Sequence, residues 1–274
     1  MVSQRDKAEA FAALHRRAAP FIIPNPWDIG SARMLAAKGF QALATTSAGF
    51  VFSVGRQEGT LGRDEVMAHA RAIVDACPLP ISADLEDGYA PDADGVGRTI
   101  LAAAEAGLVG GSIEDAKIAT DDPVYDVGEA VDRVRAAVEA ARSLPFKFTL
   151  TARAENYLYG RPDLDDTIAR LQAYQEAGAD VLYAPGLTTR AQIAAVTTSV
   201  DRPVNVVVGL PGTQFPVADL ADLGVKRISV GSALFRTAFS VAVAAADEMA
   251  SSGTFTFAAD AMTFDQVNAM FAPG

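Results

Sequence analysis

Hydrophobic positions along the chain fall into short apolar runs separated by longer stretches with helical spacing. Four segments repeat one pattern, an alanine-rich helical run, a glycine and then a short apolar strand: AAKGFQALATTS, AEAGLVGGSIED, QEAGADVLYAPG and ADLGVKRISVGS. Gly39, Gly107, Gly178 and Gly224 stand where the residue after a helix takes up the left-handed conformation. The residues that follow them lack strict polar alternation, as expected for strands buried on both faces of a parallel sheet. Further strands are predicted at 20–24, 79–84, 146–152 and 203–208, which makes eight, each followed by a helix-like segment. Eight strands at this spacing in about 250 residues predict an α/β fold of the (β/α)8 TIM-barrel type rather than a doubly wound sheet. No GxGxxG follows a strand and opens a helix, which removes the main dinucleotide-binding signal. Additional helices are predicted at both ends, an amphipathic one over 3–18, an alanine-rich one over 232–250 and another over 264–271. Apolar helices outside a barrel either plug it or pack on a neighbouring subunit, so oligomerisation is expected. No Ser/Gly-rich linker divides the chain, and residues 1–274 read as one barrel domain.

Composition narrows the chemistry. The chain has 274 residues with 23 Lys+Arg against 34 Asp+Glu, a formal charge of −11. That excess of acid argues against nucleic-acid binding, which recruits Lys and Arg. No apolar run approaches the ~20 residues of a membrane span, and no basic n-region with an apolar h-region opens the chain. A soluble, cytoplasmic protein without membrane or nucleic-acid partners is expected. Cys77 is the only cysteine, so an intramolecular disulfide, a thiolate zinc cluster and a CxxC pair are excluded. His15 and His69 are the only histidines, and both lie in helix-like stretches, which speaks against a Ser-His-Asp triad or a His-rich zinc site. Any metal must therefore be held by oxygen, which favours Mg²⁺ or Mn²⁺.

In a TIM barrel the chemistry lies at the C-terminal ends of the strands. Those ends carry Asp28, then Thr46-Ser47-Ala48-Gly49, Asp84-Leu85-Glu86-Asp87-Gly88-Tyr89, Glu114-Asp115, Arg153-Ala154-Glu155-Asn156, Gly209 and Gly231-Ser232. Any one acid here can equally be a helix cap, and Asp87-Gly88 is also a turn signal. Taken together, Asp84, Glu86 and Glu114 with Arg153 read as a metal site, because crowded carboxylates repel unless a hard cation neutralises them. Lys147 and Lys226 lie near the wrong ends of their strands and Lys117 is in a loop, which disfavours Schiff-base chemistry.

The segments PNPWDIGSAR (24–33), TTSAGFVFSVGRQEG (45–59), ISADLEDGYA (81–90), GSIEDA (111–116), TARAEN (151–156) and VGSALFR (230–236) resemble the isocitrate lyase/phosphoenolpyruvate mutase superfamily. The resemblance implies a modified (β/α)8 barrel, a homotetramer that can be a helix-swapped dimer of dimers, and a Mg²⁺ ion that binds the two oxygens of an α-keto acid. Carried over by position, Asp84 resembles the direct metal ligand, and Glu86, Glu114 and Glu58 the acids around metal-bound water. Thr46, Ser47 and Ala48 correspond to the site for the substrate carboxylate, which Asp84 reaches through the metal. Arg153 corresponds to the arginine beside the group that is cleaved or transferred, while Asp28 and Tyr89 line up with pocket positions. Arg153, Glu114 and Tyr89 are the catalytic candidates. The stretch AKIATDDPVYDVGE (116–129) departs from the family's lyase loop, having neither its cysteine nor its histidine. Residues 116–126 stand where a gate over bound substrate is expected, with Lys117 within it.

The activity that the resemblance implies is a Mg²⁺-dependent lyase reaction on a small 2-oxo carboxylate, cleaving a C–C bond through an enolate. Without the loop cysteine, chemistry like that of oxaloacetate decarboxylase or of an aldol/Claisen-type lyase fits best. The alternatives are C–P chemistry on a phosphonate, disfavoured by Arg153 standing nearly alone at the rim, and a catalytically idle α-keto acid binding protein.

Overall fold

The computed structural model describes residues 2–118 and 120–272. Eight parallel strands, β1 (Phe21–Ile23), β2 (Leu43–Ala44), β3 (Ile81–Asp84), β4 (Gly110–Glu114), β5 (Thr149–Arg153), β6 (Val181–Tyr183), β7 (Val204–Val207) and β8 (Arg227–Ser229), form one sheet in the order β1-β8-β7-β6-β5-β4-β3-β2. The two edges also meet, because the Ala44 amide donates to the Pro24 carbonyl at 3.2 Å, so the sheet curls into a nearly closed barrel. The helices are α1 (Gln4–Leu14), α2 (Ile29–Ala37), α3 (Ser47–Ser53), α4 (Arg63–Ala76), α5 (Ala93–Glu105), α6 (Val127–Ser143), α7 (Leu164–Glu176), α8 (Arg190–Ser199), α9 (Val217–Asp222), α10 (Ala233–Ser252) and α11 (Phe264–Phe271). Gly39, Gly107, Gly178 and Gly224 all have positive φ directly after helices, as the repeating pattern requires.

The strands are buried on both faces, but the two faces differ. Outward-facing residues pack under the helices in two apolar shells. One joins Leu43, Ile81, Ala83, Ile113 and Leu150 to α2, α4 and α5; the other joins Ala152, Leu182, Val204, Val206 and Ile228 to α7 and α8. The shells adjoin at β5 and α6, where Ala137 belongs to the first, Val134 to the second, and Val138 packs against both. The inward face is polar where barrels usually carry bulky aliphatics. Ser82, Ser112, Thr151, Asn205, Arg227 and Ser229 are all buried there. The Arg227 guanidinium reaches across the barrel from β8 to the Thr151 hydroxyl on β5, at 2.9 Å.

Helix α1 plugs the N-terminal end of the barrel with Ala8, Phe11 and Leu14, against Phe21, Ile23 and Val109. It ends at Leu14 rather than continuing to 18, since Arg16–Ala19 form a turn and bends leading into β1. His15 caps it from inside the core, stacking edge-on against Phe11 and Phe21. At the other end, α10 buries only Phe235 and α11 buries nothing. Among the described residues no helix is long and apolar enough to cross a membrane.

Candidate active site

Strand register assembles the site. Glu114 pairs with Arg153 and Arg153 with Tyr183 across β4, β5 and β6, so these side chains stand side by side at the C-terminal rim. Arg153 is the hub. Its Nη1 lies 2.9 Å from Asp84 Oδ1 and 3.1 Å from Glu114 Oε2, and its Nε lies 2.7 Å from Glu155 Oε1. Its guanidinium carbon sits 5.0 Å from the centroid of the Tyr183 ring. Burial disfavours the charge on Arg153, but Glu114, Glu155 and Asp84 more than offset that and hold it charged. Burial also raises the Glu114 carboxyl well above the usual range, against the pull of Arg153.

Asp84 is held from both sides. Its Oδ2 accepts from the Ser47 hydroxyl at 2.9 Å and its Oδ1 from Arg153, while its amide donates to the Thr45 hydroxyl. Thr46 caps α3, its hydroxyl accepting from the Gly49 amide at 3.2 Å, so the chain at Thr46, Ser47 and Ala48 starts a helix beside Asp84. Ala48 is otherwise without a polar side-chain role.

The segment after Asp84 is wound unusually. Glu86 and Tyr89 take positive φ, 47° and 53°, the two non-glycine residues among those described that do so, with Gly88 at 92° between them. Such φ values are disfavoured for residues with a Cβ and are retained where surrounding contacts enforce them. The contacts here are plain. The Thr99 hydroxyl donates to the Gly88 carbonyl, and Arg133 donates to the carbonyls of Asp87 and Ala90. The Asp87 carboxylate accepts from the Tyr125 hydroxyl at 2.7 Å and from Arg133, so it anchors the turn. In the turn's grip Glu86 is partly buried, and burial followed by the charge of Asp84 pushes its carboxyl up to about 8. The buried Tyr89 hydroxyl lies beside Glu86, and burial, then the charge of Glu86, raise its pKa. Glu58 lies on the exposed stretch between α3 and α4, yet partial burial and the charge of Asp84 raise its carboxyl too.

Two sequence-named positions take other duties. Asp28 caps α2, its carboxylate accepting from the Ser31 amide at 2.7 Å, so the helix-cap reading of that acid holds. The Lys117 ammonium sits over the Tyr125 ring, 4.5 Å from its centroid. The segment expected to gate the site is tied at its base, where Ala116 bridges Val124 and the Lys117 amide donates to the Pro123 carbonyl at 2.8 Å; Ala119, within that segment, lies outside the described residues. Asp115 turns away from the rim and accepts from Arg170 and Tyr174 on α7.

Beneath the rim lies a cavity of about 90 Å³ lined by Asp84, Arg153, Tyr183, Ser82, Ser112 and Arg227, among others. Glu155 was noted from sequence only as a strand-end residue, Tyr183 and Arg227 were not singled out, and Arg227 adds a second cation beneath the rim. Arg227 is only 4% exposed, and burial lowers its pKa to about 10.

The donor set suits a hard divalent cation. It consists of oxygen atoms alone, and the acids of Glu58 and Glu86 are weakened by burial and then by the charge of Asp84, a repulsion that a cation would relieve. Among the described residues no three of His, Cys, Asp and Glu converge as direct ligands. An ion such as Mg²⁺ is commonly held by one or two carboxylates and keeps several waters.

The family model for phosphoenolpyruvate phosphomutase matches residues 11–250. The chain belongs to this family. The 2-methylisocitrate lyase of Salmonella typhimurium is 32% identical over 195 residues, 68% of this chain and 65% of the relative. Among solved structures, a candidate lyase/mutase from Burkholderia cenocepacia J2315 is 57% identical with a TM-score of 0.96, covering 98% of this chain and 97% of that one. A candidate phosphonomutase from the same organism is 36% identical with a TM-score of 0.82, covering 90% and 99%. The phosphoenolpyruvate phosphomutase family and its superfamily thus include both lyases and mutases, and C–C lyases are among this chain's relatives.

Proposed function

We propose that this chain is a Mg²⁺-dependent lyase that takes a small 2-oxo carboxylate and cleaves a C–C bond at its C3. The observation that carries this reading is the buried meeting of Asp84, Glu114 and Glu155 on Arg153 above a small polar cavity, in a chain related to C–C lyases. Asp84 would hold the cation directly, and Glu58, Glu86 and Glu114 through water. When bound, the cation draws electron density from the 2-oxo group. The backbone amides of Thr46, Ser47 and Ala48 receive the substrate carboxylate at the start of α3. As the bond from C3 to a terminal carboxylate breaks, that carboxylate leaves as CO₂ and the bond's electron pair passes into the enolate of the remaining 2-oxo acid. Arg153 faces that developing charge in a water-poor setting where a fixed cation acts strongly. Glu114 keeps Arg153 oriented. Tyr89, whose hydroxyl stays protonated at neutral pH, returns a proton to the enolate carbon.

A turnover panel of oxaloacetate, methylisocitrate, dimethylmalate and phosphonopyruvate, read by pyruvate release with and without EDTA, tests the reading. Oxaloacetate should give pyruvate that EDTA abolishes; pyruvate from methylisocitrate or dimethylmalate, which are 2-hydroxy acids, would mark the aldol-type form of the lyase reaction. Asp84→Ala should remove Mg²⁺-dependent binding of oxalate or pyruvate in calorimetry while melting normally; binding that survives refutes the cation assignment. A second reading, cleavage or transfer at a C–P bond, draws support from the phosphonomutase relative and from Arg227 as a second cation. Phosphonopyruvate alone turning over would favour it.

The same reading extends to assembly, with a homotetramer built on a second copy. The apolar side chains of α10 and the segment after it, Phe239, Val241, Phe255 and Phe264 among them, are exposed, and a 20-residue helix that buries one residue on its own barrel needs another surface. Phe239→Asp combined with Phe255→Asp should lower the mass measured by light scattering. A wild-type monomer would refute the assembly. The cytoplasm is the compartment proposed for it.

A further inference from the structure

The N-terminal end of the barrel, opposite the rim, holds a second polar pocket. It is a cavity of about 260 Å³ beside the first residues of β5 and β6, and its polar lining consists of His15, Arg16, Lys147, Thr149, Asp180 and Arg202. Two buried polar atoms of that lining, His15 Nε2 and Thr149 Oγ1, have no hydrogen-bond partner among the described residues; the two residues are 6% and 3% exposed. A buried polar group left unpaired costs free energy, so such a pair marks a place where a partner belongs. The chemistry of that partner follows from the other nitrogen of His15. Nδ1 lies 2.9 Å from the Phe11 carbonyl oxygen, which can only accept, so Nδ1 carries the ring proton. Burial, with the charges of Arg227 and Arg16, keeps the ring neutral at pH 7. Nε2 therefore offers a lone pair and needs a donor, whereas the Thr149 hydroxyl can donate. The mouth of the pocket is cationic, in a chain whose formal charge is −11. Arg16, Lys147 and Arg202 stand exposed around it. Asp180, the one acid in the lining, is already engaged: its Oδ1 accepts from Arg142 at 2.8 Å and from Lys147, and its Oδ2 from the Leu150 amide at 2.9 Å. Arg16 and Arg202 make no ion pair among the described residues.

We propose that this pocket binds a small tetrahedral oxyanion that carries an O–H of its own, hydrogen phosphate being the simplest, and discriminates against anions that lack one. Arg16 and Arg202 supply the countercharge, the Thr149 hydroxyl donates to an anionic oxygen, and the O–H of the anion donates to His15 Nε2. Sulfate matches hydrogen phosphate in shape but carries no proton at neutral pH, so it presents only acceptors to a nitrogen that is itself an acceptor. Thr149 opens β5 and Arg153 closes it, so this site lies at the far end of the strand from the rim and does not depend on the reaction proposed there.

Titration calorimetry of the whole chain in EDTA, with inorganic phosphate and with sulfate at equal ionic strength, tests this. Phosphate should bind at least about tenfold more tightly than sulfate, the lower end of what a hydrogen bond to a charged group contributes. His15→Phe removes the acceptor and should bring that ratio close to one. Arg16→Gln combined with Arg202→Gln should weaken both anions by about fivefold or more and leave the preference in place. Melting curves identify a His15→Phe chain that fails to fold, in which case the wild-type ratio and the variant of the two exposed arginines decide. Wild-type protein that binds neither anion, or both equally, overturns the proposal and leaves water as the partner of the two buried atoms. Phosphate binding that ignores the arginine variant belongs to another site and overturns it too, as does a preference that survives in folded His15→Phe.

Discussion

Replacing Arg153 by methionine keeps much of the side-chain volume and removes the cation that three rim carboxylates share. Those carboxylates lie 2.7–3.1 Å from its nitrogens and are between 2% and 19% exposed. Deleting one partner of a buried ion pair costs about 3–5 kcal/mol, since the remaining charge is stranded. The three losses do not add. Stranded carboxylates take up protons instead, and Asp84 keeps its hydrogen bond from the Ser47 hydroxyl. The expected cost without divalent cation near pH 7.5 is therefore about 3–5 kcal/mol, or a melting temperature lower by roughly 10 °C for a chain of this size. Glu114 and Glu155 already have raised carboxyls, and losing Arg153 raises them further. A carboxyl whose folded pKa exceeds its unfolded one stabilises the fold at low pH and loses that stabilisation as pH climbs toward the folded value, so the deficit shrinks near pH 5.5. Melting by differential scanning fluorimetry at both pH values, with EDTA and then with MgCl₂, reads all of this. Added Mg²⁺ should recover part of the loss in the variant. An Arg153→Met protein that melts within about 2 °C of wild type near pH 7.5, or whose deficit ignores pH, would refute the rim electrostatics.

His15 gives a second pH signature. Burial drops its pKa from 6.5 to about 3, so protons favour the unfolded chain and stability falls as pH descends through that interval. The loss should reach about 2 kcal/mol by pH 5, and His15→Phe should flatten the urea midpoint between pH 7 and 5. A wild-type midpoint that does not fall would show that His15 protonates without cost. At Gly88, φ is 92° and an added Cβ would meet Val96 Cγ2 at 2.8 Å, so Gly88→Ala should cost about 1–3 kcal/mol and disturb Glu86 and Tyr89 on either side. Turnover should fall more than the melting temperature alone explains, and an unaffected kcat would detach this turn from the site.

The barrel was legible because its signals are local. A left-handed glycine after each of four helices and apolar runs at βα spacing announced the strands, and β3 through β8 begin and end within a few residues of expectation. Asp84, Glu114 and Arg153 could be named because strand ends carry a barrel's chemistry. Their mutual pairing could not, since it depends on which residues of β4 and β5 lie in register. Arg227 was hidden for a different reason. The strands ISAD, TLTAR and RIS do alternate polar and apolar residues, a pattern ordinarily read as one face toward water. Here the apolar face lies under helices and the polar face lines the interior, so the alternation carried the information while its usual meaning pointed the wrong way. The duties of Asp28 and Asp87 depend on partners such as Ser31, Tyr125 and Arg133, the last two distant in sequence.

The division of the apolar packing into two shells bears on how the molecule opens and closes. With a polar interior, the barrel's centre supplies little cohesion of its own, and the halves adjoin at β5 and α6 and meet again where α1 plugs the barrel end. Each half can then behave as a cooperative unit with its own opening free energy, visible as two classes of amide exchange. Asp84 and Glu114 come from the first half, Tyr183 and Arg227 from the second, and Arg153 from the seam between them. A ligand lodged among these five residues acts as a clasp across the seam. Its arrival should slow exchange in both halves together, and the slower class should gain least.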